Sequence, residues 1–129
     1  MKNSLEEQNK SIVRQYWDGK WNERRPEILD ELLSTEIKYH GEDEMTGIEE
    51  YKTSYSTYLS AMINTRFEIK ELIAEGDLVM SRAVCYATYN GILGDIYPVG
   101  EEIHFRFFTV FRLVVGKIAE EWELFQLGN

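Results

Sequence analysis

Three glutamates crowd one tryptophan near the C-terminal end of the chain: Glu120, Glu121 and Glu123 around Trp122. Side chains alternate along an extended strand. Glu121 and Glu123 therefore share one face with Ala119 and Phe125, and Glu120 and Trp122 share the other with Ile118 and Leu124. A glutamate on an apolar face loses hydration, which raises its pKa and lets it trade protons near neutral pH. The same spacing also suits the solvated side of a half-buried strand, where neither carboxylate does chemistry.

The other acid-base groups are few. His40 ends a short extended segment, and His104 points to the same side of a long strand as Arg106. Tyr51, Tyr55 and Tyr58 recur at helical spacing. Apolar rings with hydroxyl tips suit either a core or a pocket for a flat, partly oxygenated ligand. With Tyr16, Trp17, Tyr89 and Trp122, these residues form the candidate pocket lining; Glu123, Glu121 and His40 are the candidate catalytic groups. There is no phosphate-binding glycine loop, no Cys/His metal spacing and no Gly-x-Ser-x-Gly elbow, so no cofactor or metal is expected. Cys85 sits in an apolar run and reads as a small core hydrophobe.

Elements that could position these groups follow from periodicity. Asn3 and Ser4 offer caps, with Glu7 three residues after Ser4. Leu5, Ile12, Val13, Tyr16 and Trp17 then give a helix that ends around Asp18-Gly19 and Asn22. Arg25-Pro26 restarts a short helix with Leu29, Leu32 and Leu33 on its apolar face. An extended piece over Glu36–His40 follows, and Gly47 opens a third helix whose stripe runs from Ile48 to Met62. The second half changes to strand period. Phe67, Ile69 and Ile73 lead to the turn Glu75-Gly76-Asp77, and strands are expected over Leu78–Tyr89, Ile103–Val115 and Lys117–Leu127. Helices followed by a run of strands define an α+β class, with a curved antiparallel sheet around three helices. The strand Ile103–Val115 is apolar on both sides over its middle, with Phe108, Val110 and Val114 on the second face. A second copy of the same sheet would cover that face, so a homodimer is expected.

Composition narrows the function classes. The 129 residues fit one domain, residues 1–129. Fourteen basic residues against 23 acidic ones give a net charge of −9. That opposes a nucleic-acid surface, which needs basic groups to replace phosphate counterions, and it opposes attraction to anionic membranes. No apolar run approaches the roughly 18 residues of a membrane span. The first ten residues lack the apolar core of a signal peptide, and a lone cysteine builds no disulfide framework. A cytoplasmic location is expected.

Several phrases, in order, resemble one family. They are Val13-Arg14-Gln15-Tyr16-Trp17 with Trp21-Asn22, Leu29-Asp30-Glu31-Leu32-Leu33, Tyr39-His40 and Glu71-Leu72-Ile73-Ala74-Glu75-Gly76-Asp77. Pro98-Val99-Gly100, Arg112 with Gly116-Lys117-Ile118, Glu121-Trp122-Glu123 and Gln126-Leu127-Gly128 complete the set. Together they resemble the SnoaL-like polyketide cyclase (ester cyclase) family of the nuclear transport factor two-like superfamily. The resemblance implies a cone-shaped roll with a deep pocket between helices and sheet, and frequent dimers. It also implies ring closure by aldol condensation without metal or cofactor, driven by an acidic pocket group often near a histidine. Family members carry an aspartate a few residues after the tryptophan. Here Trp122-Glu123-Leu124-Phe125 runs straight into Gln126, and Glu123 is the nearest carboxylate. Tyr89 stands where a family histidine is common.

Two functions follow as expectations. One is acid-base catalysis, cyclisation or isomerisation, on a small enolisable carbonyl compound, with a tyrosine or His104 as donor to the enolate oxygen. The other is a non-catalytic module of the same fold that binds a small hydrophobic or polyketide-like ligand, or only dimerises.

Overall fold

In the structure, a computed structural model that describes residues 4–128, helix α1 (Leu5–Trp17) starts where Ser4 accepts the amide proton of Glu7 at 3.1 Å. This is the expected cap; Asn3 lies outside the described residues. Val13, Tyr16 and Trp17 are fully buried. The α-helix ends at Trp17, at the start of the expected Asp18-Gly19 to Asn22 frame, but the chain keeps coiling through that frame. It widens into one π-helical turn (Asp18–Asn22), which adds Lys20 and Trp21 to the buried side. Gly19 makes this possible: a Cβ there would stand 2.6 Å from Ile28 Cγ1, so helix α2 (Ile28–Leu32) packs on bare backbone.

Strand β1 (Leu33–His40) begins three residues earlier than expected and pairs with a short β2 (Glu44–Thr46) that periodicity did not predict. Helix α3 (Ile48–Ala61) follows Gly47 as expected. Met62, predicted on the helical stripe, is already extended and opens β3 (Met62–Glu75). Arg24 holds this junction, since its guanidinium donates to the Leu59 carbonyl at 2.7 Å and the Met62 carbonyl at 2.9 Å. Strands β4 (Leu78–Tyr89), β5 (Glu102–Val114) and β6 (Lys117–Leu127) lie within a residue of their predicted bounds.

The six strands form one sheet in the order β2-β1-β6-β5-β4-β3. The expectation of a wholly antiparallel sheet is corrected in one place: β1 runs parallel to β6. Only a long connection can return a chain in the same direction, and everything between Gly41 and Gly116 supplies it. α1 and α3 lie across the concave face. Trp17 stacks on Phe67 at 4.3 Å and meets Phe111 edge-on at 5.7 Å. Among the described residues no helix is long and apolar enough to cross a membrane.

Strict alternation fails at one informative place. Arg112 pairs with Glu120 but Leu113 pairs with Ile118, so Ala119 bulges out of the ladder. The bulge lets Ile118 and Glu121, three residues apart, both point inward. Deleting Ala119 puts Ile118 and Glu121 two residues apart, so strict alternation then keeps both inward. The urea midpoint should stay near the wild-type value. A loss of about 3 kcal/mol, the worth of one buried isoleucine, would show that the bulge does more than set the phase of the strand.

Candidate functional site

The inward face of β6 delivers Glu121 and Glu123 to the space between helices and sheet. Glu121 is completely buried. Its Oε1 accepts from the Tyr51 hydroxyl at 2.8 Å and lies 3.1 Å from the Tyr16 hydroxyl. The two hydroxyls also bond one another. Behind them sits Lys20, 7% exposed, whose Nζ donates to Tyr16 at 2.7 Å and Tyr51 at 2.9 Å. α1 supplies Tyr16, the π turn supplies Lys20 and α3 supplies Tyr51, so three elements close over one carboxyl.

Burial pushes the Glu121 carboxyl up to about 8, and the neighbouring Glu123 carboxylate pushes the same way. Lys20 and the tyrosine hydroxyls pull against this and lose. The hydroxyls of Tyr16 and Tyr51 are driven well above their ordinary value of 10.0 by burial first and Glu121 second, so both stay protonated.

Glu123 is 8% exposed and lies closer to open space. Tyr39 donates to its Oε1 at 2.6 Å, and its Oε2 is buried with no hydrogen-bond partner among the described residues. It forms part of the wall of a cavity of about 120 Å³. Tyr39, Tyr51, Tyr55, Phe105, Phe107 and Phe125 give that wall its aromatic character, with Lys20 and Cys85 also exposed to it. Tyr58, Tyr97, Glu42 and Asp43 line it too, and burial with these two carboxylates raises the Tyr58 pKa. The Cys85 thiol, pushed up to about 12 by burial, remains a protonated apolar group.

The structure brings together some of the residues picked from sequence and separates others. Glu123, Tyr51, Tyr55 and Tyr58 line the cavity. Glu121 and Tyr16 stand behind the wall, and Trp17 is core, with its Nε1 bonded to Ser81 Oγ at 3.1 Å. Tyr89 is buried but spends its hydroxyl on the following loop, donating to the Gly94 carbonyl at 2.6 Å. His40 differs most from expectation. It lies on the outer face, between Glu44 and Glu120 at 2.6 Å each, stacked on Trp122 at 5.4 Å. Hydrogen bonds to Glu120 and Glu44 raise its pKa, which favours the imidazolium. The cause is strand parity: His40 pairs with Trp122 across the β1–β6 ladder, and both face out. His104 and Arg106 face out by the same parity on β5; His104 meets Tyr86 at 5.9 Å and Arg106 donates to Gln126 at 3.2 Å. These four outward groups, Trp122 included, are absent from the cavity wall.

Sequence reasoning missed Lys20 as a member of this site. The signal was present: Val13, Tyr16, Trp17, Lys20 and Trp21 continue one helical face, and a lysine on an apolar face is unusual. The helix end expected around Asp18-Gly19 and Asn22 hid it, because the expected apolar stripe runs only as far as Trp17.

The family model for SnoaL-like polyketide cyclases matches residues 11–128, and the chain belongs to that family. Among curated proteins there is no significant match. Solved structures with the same fold are numerous. A SnoaL-like protein from Jannaschia sp. CCS1 superposes with a TM-score of 0.85 at 19% identity, covering 98% of this chain and 90% of that one. AclR from Streptomyces galilaeus gives 0.80 at 22%, with 94% and 90% covered. A SnoaL-like polyketide cyclase from Agrobacterium tumefaciens gives 0.80 at 17%, with 92% and 91% covered. At these identities the likeness establishes the fold alone, an α+β cone.

A pH prediction follows for Glu121. Its folded value, about 8, lies above its ordinary 4.5, so the folded state binds the proton more tightly. That contribution to stability is complete below about 4.5 and is lost as pH rises through about 8. Glu121→Gln keeps the shape without the charge. It should flatten this loss and be the more stable protein at pH 8.5 by about 1 kcal/mol or more. Thermal melts across pH compare the two; parallel profiles would mean that Glu121 is ionised throughout.

Proposed function

We propose that the chain binds a small, flat, partly oxygenated carbonyl compound of polyketide type in the aromatic cavity and acts on it by acid-base chemistry. The reaction class is a cofactor-independent cyclisation or isomerisation, with Glu123 as the group that removes a proton next to the carbonyl. One observation carries this reading: Glu123 Oε2 is buried and unpartnered in an apolar cavity wall. A buried acceptor without a donor costs stability unless a ligand or reaction uses it. Tyr39 fixes the carboxyl orientation through Oε1 and leaves Oε2 available. The deeper Glu121 is enclosed by hydroxyls and acts as a proton reservoir behind the wall. His40 has no part in this scheme. The family supports the ligand class. Net charge of −9 and a lone buried cysteine suit a reducing aqueous compartment, the cytoplasm.

The test starts with ligand binding. Thermal shift against cyclic and aromatic ketones, 2-tetralone among them, identifies a binder, and NMR in deuterated water follows exchange of its α-hydrogens. Glu123→Gln should slow the catalysed exchange about a hundredfold. Unchanged exchange removes Glu123 from the mechanism, and a ligand bound without any exchange makes the protein a binding module.

We further propose a homodimer through the outer sheet face. Phe108 opposes Leu124 and Val110 opposes Trp122 across β5–β6, and Leu124 is 76% exposed. Paired apolar side chains in a row on one face suit an isologous contact. Sedimentation at micromolar concentration should give twice the 15.2 kDa chain mass, and Leu124→Glu should reduce it to the single chain. A wild-type particle of 15.2 kDa would refute the dimer.

A further inference from the structure

We infer that Lys20 is the oxygen-binding group of the cavity: its ammonium holds the carbonyl oxygen of a neutral ketone or β-dicarbonyl ligand and takes up the negative charge that this oxygen gains when Glu123 removes the neighbouring proton. The inference rests on the cavity reading above and adds a partner to Glu123 that the family's motifs do not supply.

The first argument is a count of donors. An ammonium has three N–H bonds and no lone pair. Lys20 spends two, on Tyr16 at 2.7 Å and Tyr51 at 2.9 Å. No other protein group among the described residues accepts the third, and Lys20 belongs to the cavity wall. The second argument is cost. A 93%-buried lysine would be replaced by an apolar residue with little loss if packing were its only role. Instead its charge is accommodated by rings. The Tyr16 and Tyr51 centroids lie 4.8 Å and 5.0 Å from Nζ, and those of Trp17, Trp21 and Tyr55 lie within 5.8 Å. The third is direction. Tyr51 accepts from Lys20 and donates to Glu121, so each proton in this chain points from the ammonium toward the carboxyl. The array is organised before any ligand arrives, which is what stabilising a developing oxyanion requires.

The ligand class follows from charge. Glu42, Asp43 and Glu123 line the same cavity. A carboxylate or phosphate ligand meets their repulsion, whereas a neutral carbonyl compound enters and becomes anionic only beside Lys20. In the step itself the α C–H bond breaks and its proton passes to a Glu123 carboxylate oxygen. The electron pair forms a C=C bond, and the carbonyl π pair moves onto the oxygen bonded to Lys20. Protonation at another carbon gives isomerisation. Attack of the enolate carbon on a second carbonyl of the same ligand gives ring closure.

para-Nitrophenol tests this without knowledge of the substrate. It is neutral when protonated, mimics an enolate when ionised, and reports its ionisation by absorbance. The wild-type protein should bind it and, at a pH below its own titration, raise its ionised fraction relative to free probe about tenfold or more. Lys20→Met should bind the probe and lose that gain. Lys20→Gln is the second variant, because it keeps a polar hydrogen-bonding end without the charge, and circular dichroism checks that it folds. A wild-type protein that binds without any ionisation gain, or a Lys20→Gln variant that retains it, overturns the role of Lys20 and leaves the cavity reading standing. Failure of the wild type to bind para-nitrophenol or any ketone overturns both.

Discussion

The carboxyl of Glu121 is the constraint around which this molecule is arranged. It sits on the inner face of β6, one step from Glu123, and it is wholly removed from water. A buried carboxyl needs donors, and water is out of reach, so the helices must bring them. Tyr16 from α1 and Tyr51 from α3 meet on it, and Lys20 from the π turn donates to both hydroxyls from behind. Each of those groups is in turn specified elsewhere. Gly19 lets α2 close against the widened turn, and the Tyr55 hydroxyl donates to the Lys20 carbonyl to pin that turn against α3. The docking of both long helices on the sheet thus passes through one polar cluster in an apolar interior. Such clusters are costly to break one member at a time, because each loss leaves a partner buried and unsatisfied.

β6 separates two chemistries by parity alone. Its inner face carries Glu121 and Glu123; its outer face carries Glu120, Trp122 and Leu124. Outside, His40 bridges Glu44 and Glu120, Arg112 reaches Glu120 at 3.0 Å, and Trp122 covers the imidazole. That network is partly solvated and self-satisfied: every charge in it has an opposite charge beside it. Inside, among the described residues, the carboxyl groups of Glu121 and Glu123 face one ammonium, Lys20, and an oxygen of Glu123 is left over. Unequal satisfaction, rather than the mere presence of acidic groups, distinguishes the side suited to chemistry. It also places His40 outside the proposed scheme without any appeal to distance.

Much of this was legible in the sequence, and the gaps have physical causes. Strand period gave β4, β5 and β6 because each has many alternating positions, and it put Glu121 and Glu123 on one face correctly. It misplaced Ile118, because a one-residue bulge at Ala119 leaves no local signature in composition. The parallel pairing of β1 with β6 is a long-range property that no window contains. His40 and His104 looked like pocket groups because a histidine carries no mark of which sheet face it occupies; only the ladder register decides that. Lys20 was hidden by a rule that is usually sound: Asp-Gly marks a helix end. Here Gly19 serves close packing against Ile28 instead, and the helix widens rather than ends.

The two inner glutamates differ in depth, and depth divides their labour. Both cannot ionise cheaply when they face the same small space, so the more buried one keeps the proton. Glu121 is that one: burial dominates its shift, and the hydroxyls around it can share its proton without exposing it. Its neutrality has a consequence one layer up. With Glu121 protonated, the positive charge of Lys20 is not cancelled from behind and stays directed at the cavity. Were Glu121 ionised, Tyr16 and Tyr51 would relay its negative charge to the ammonium and weaken its hold on any ligand oxygen. In the proposed scheme, a residue that never touches the cavity therefore tunes the pull of one that does. A chain with 23 acidic residues would present a cationic group to a ligand by keeping one of those acids uncharged.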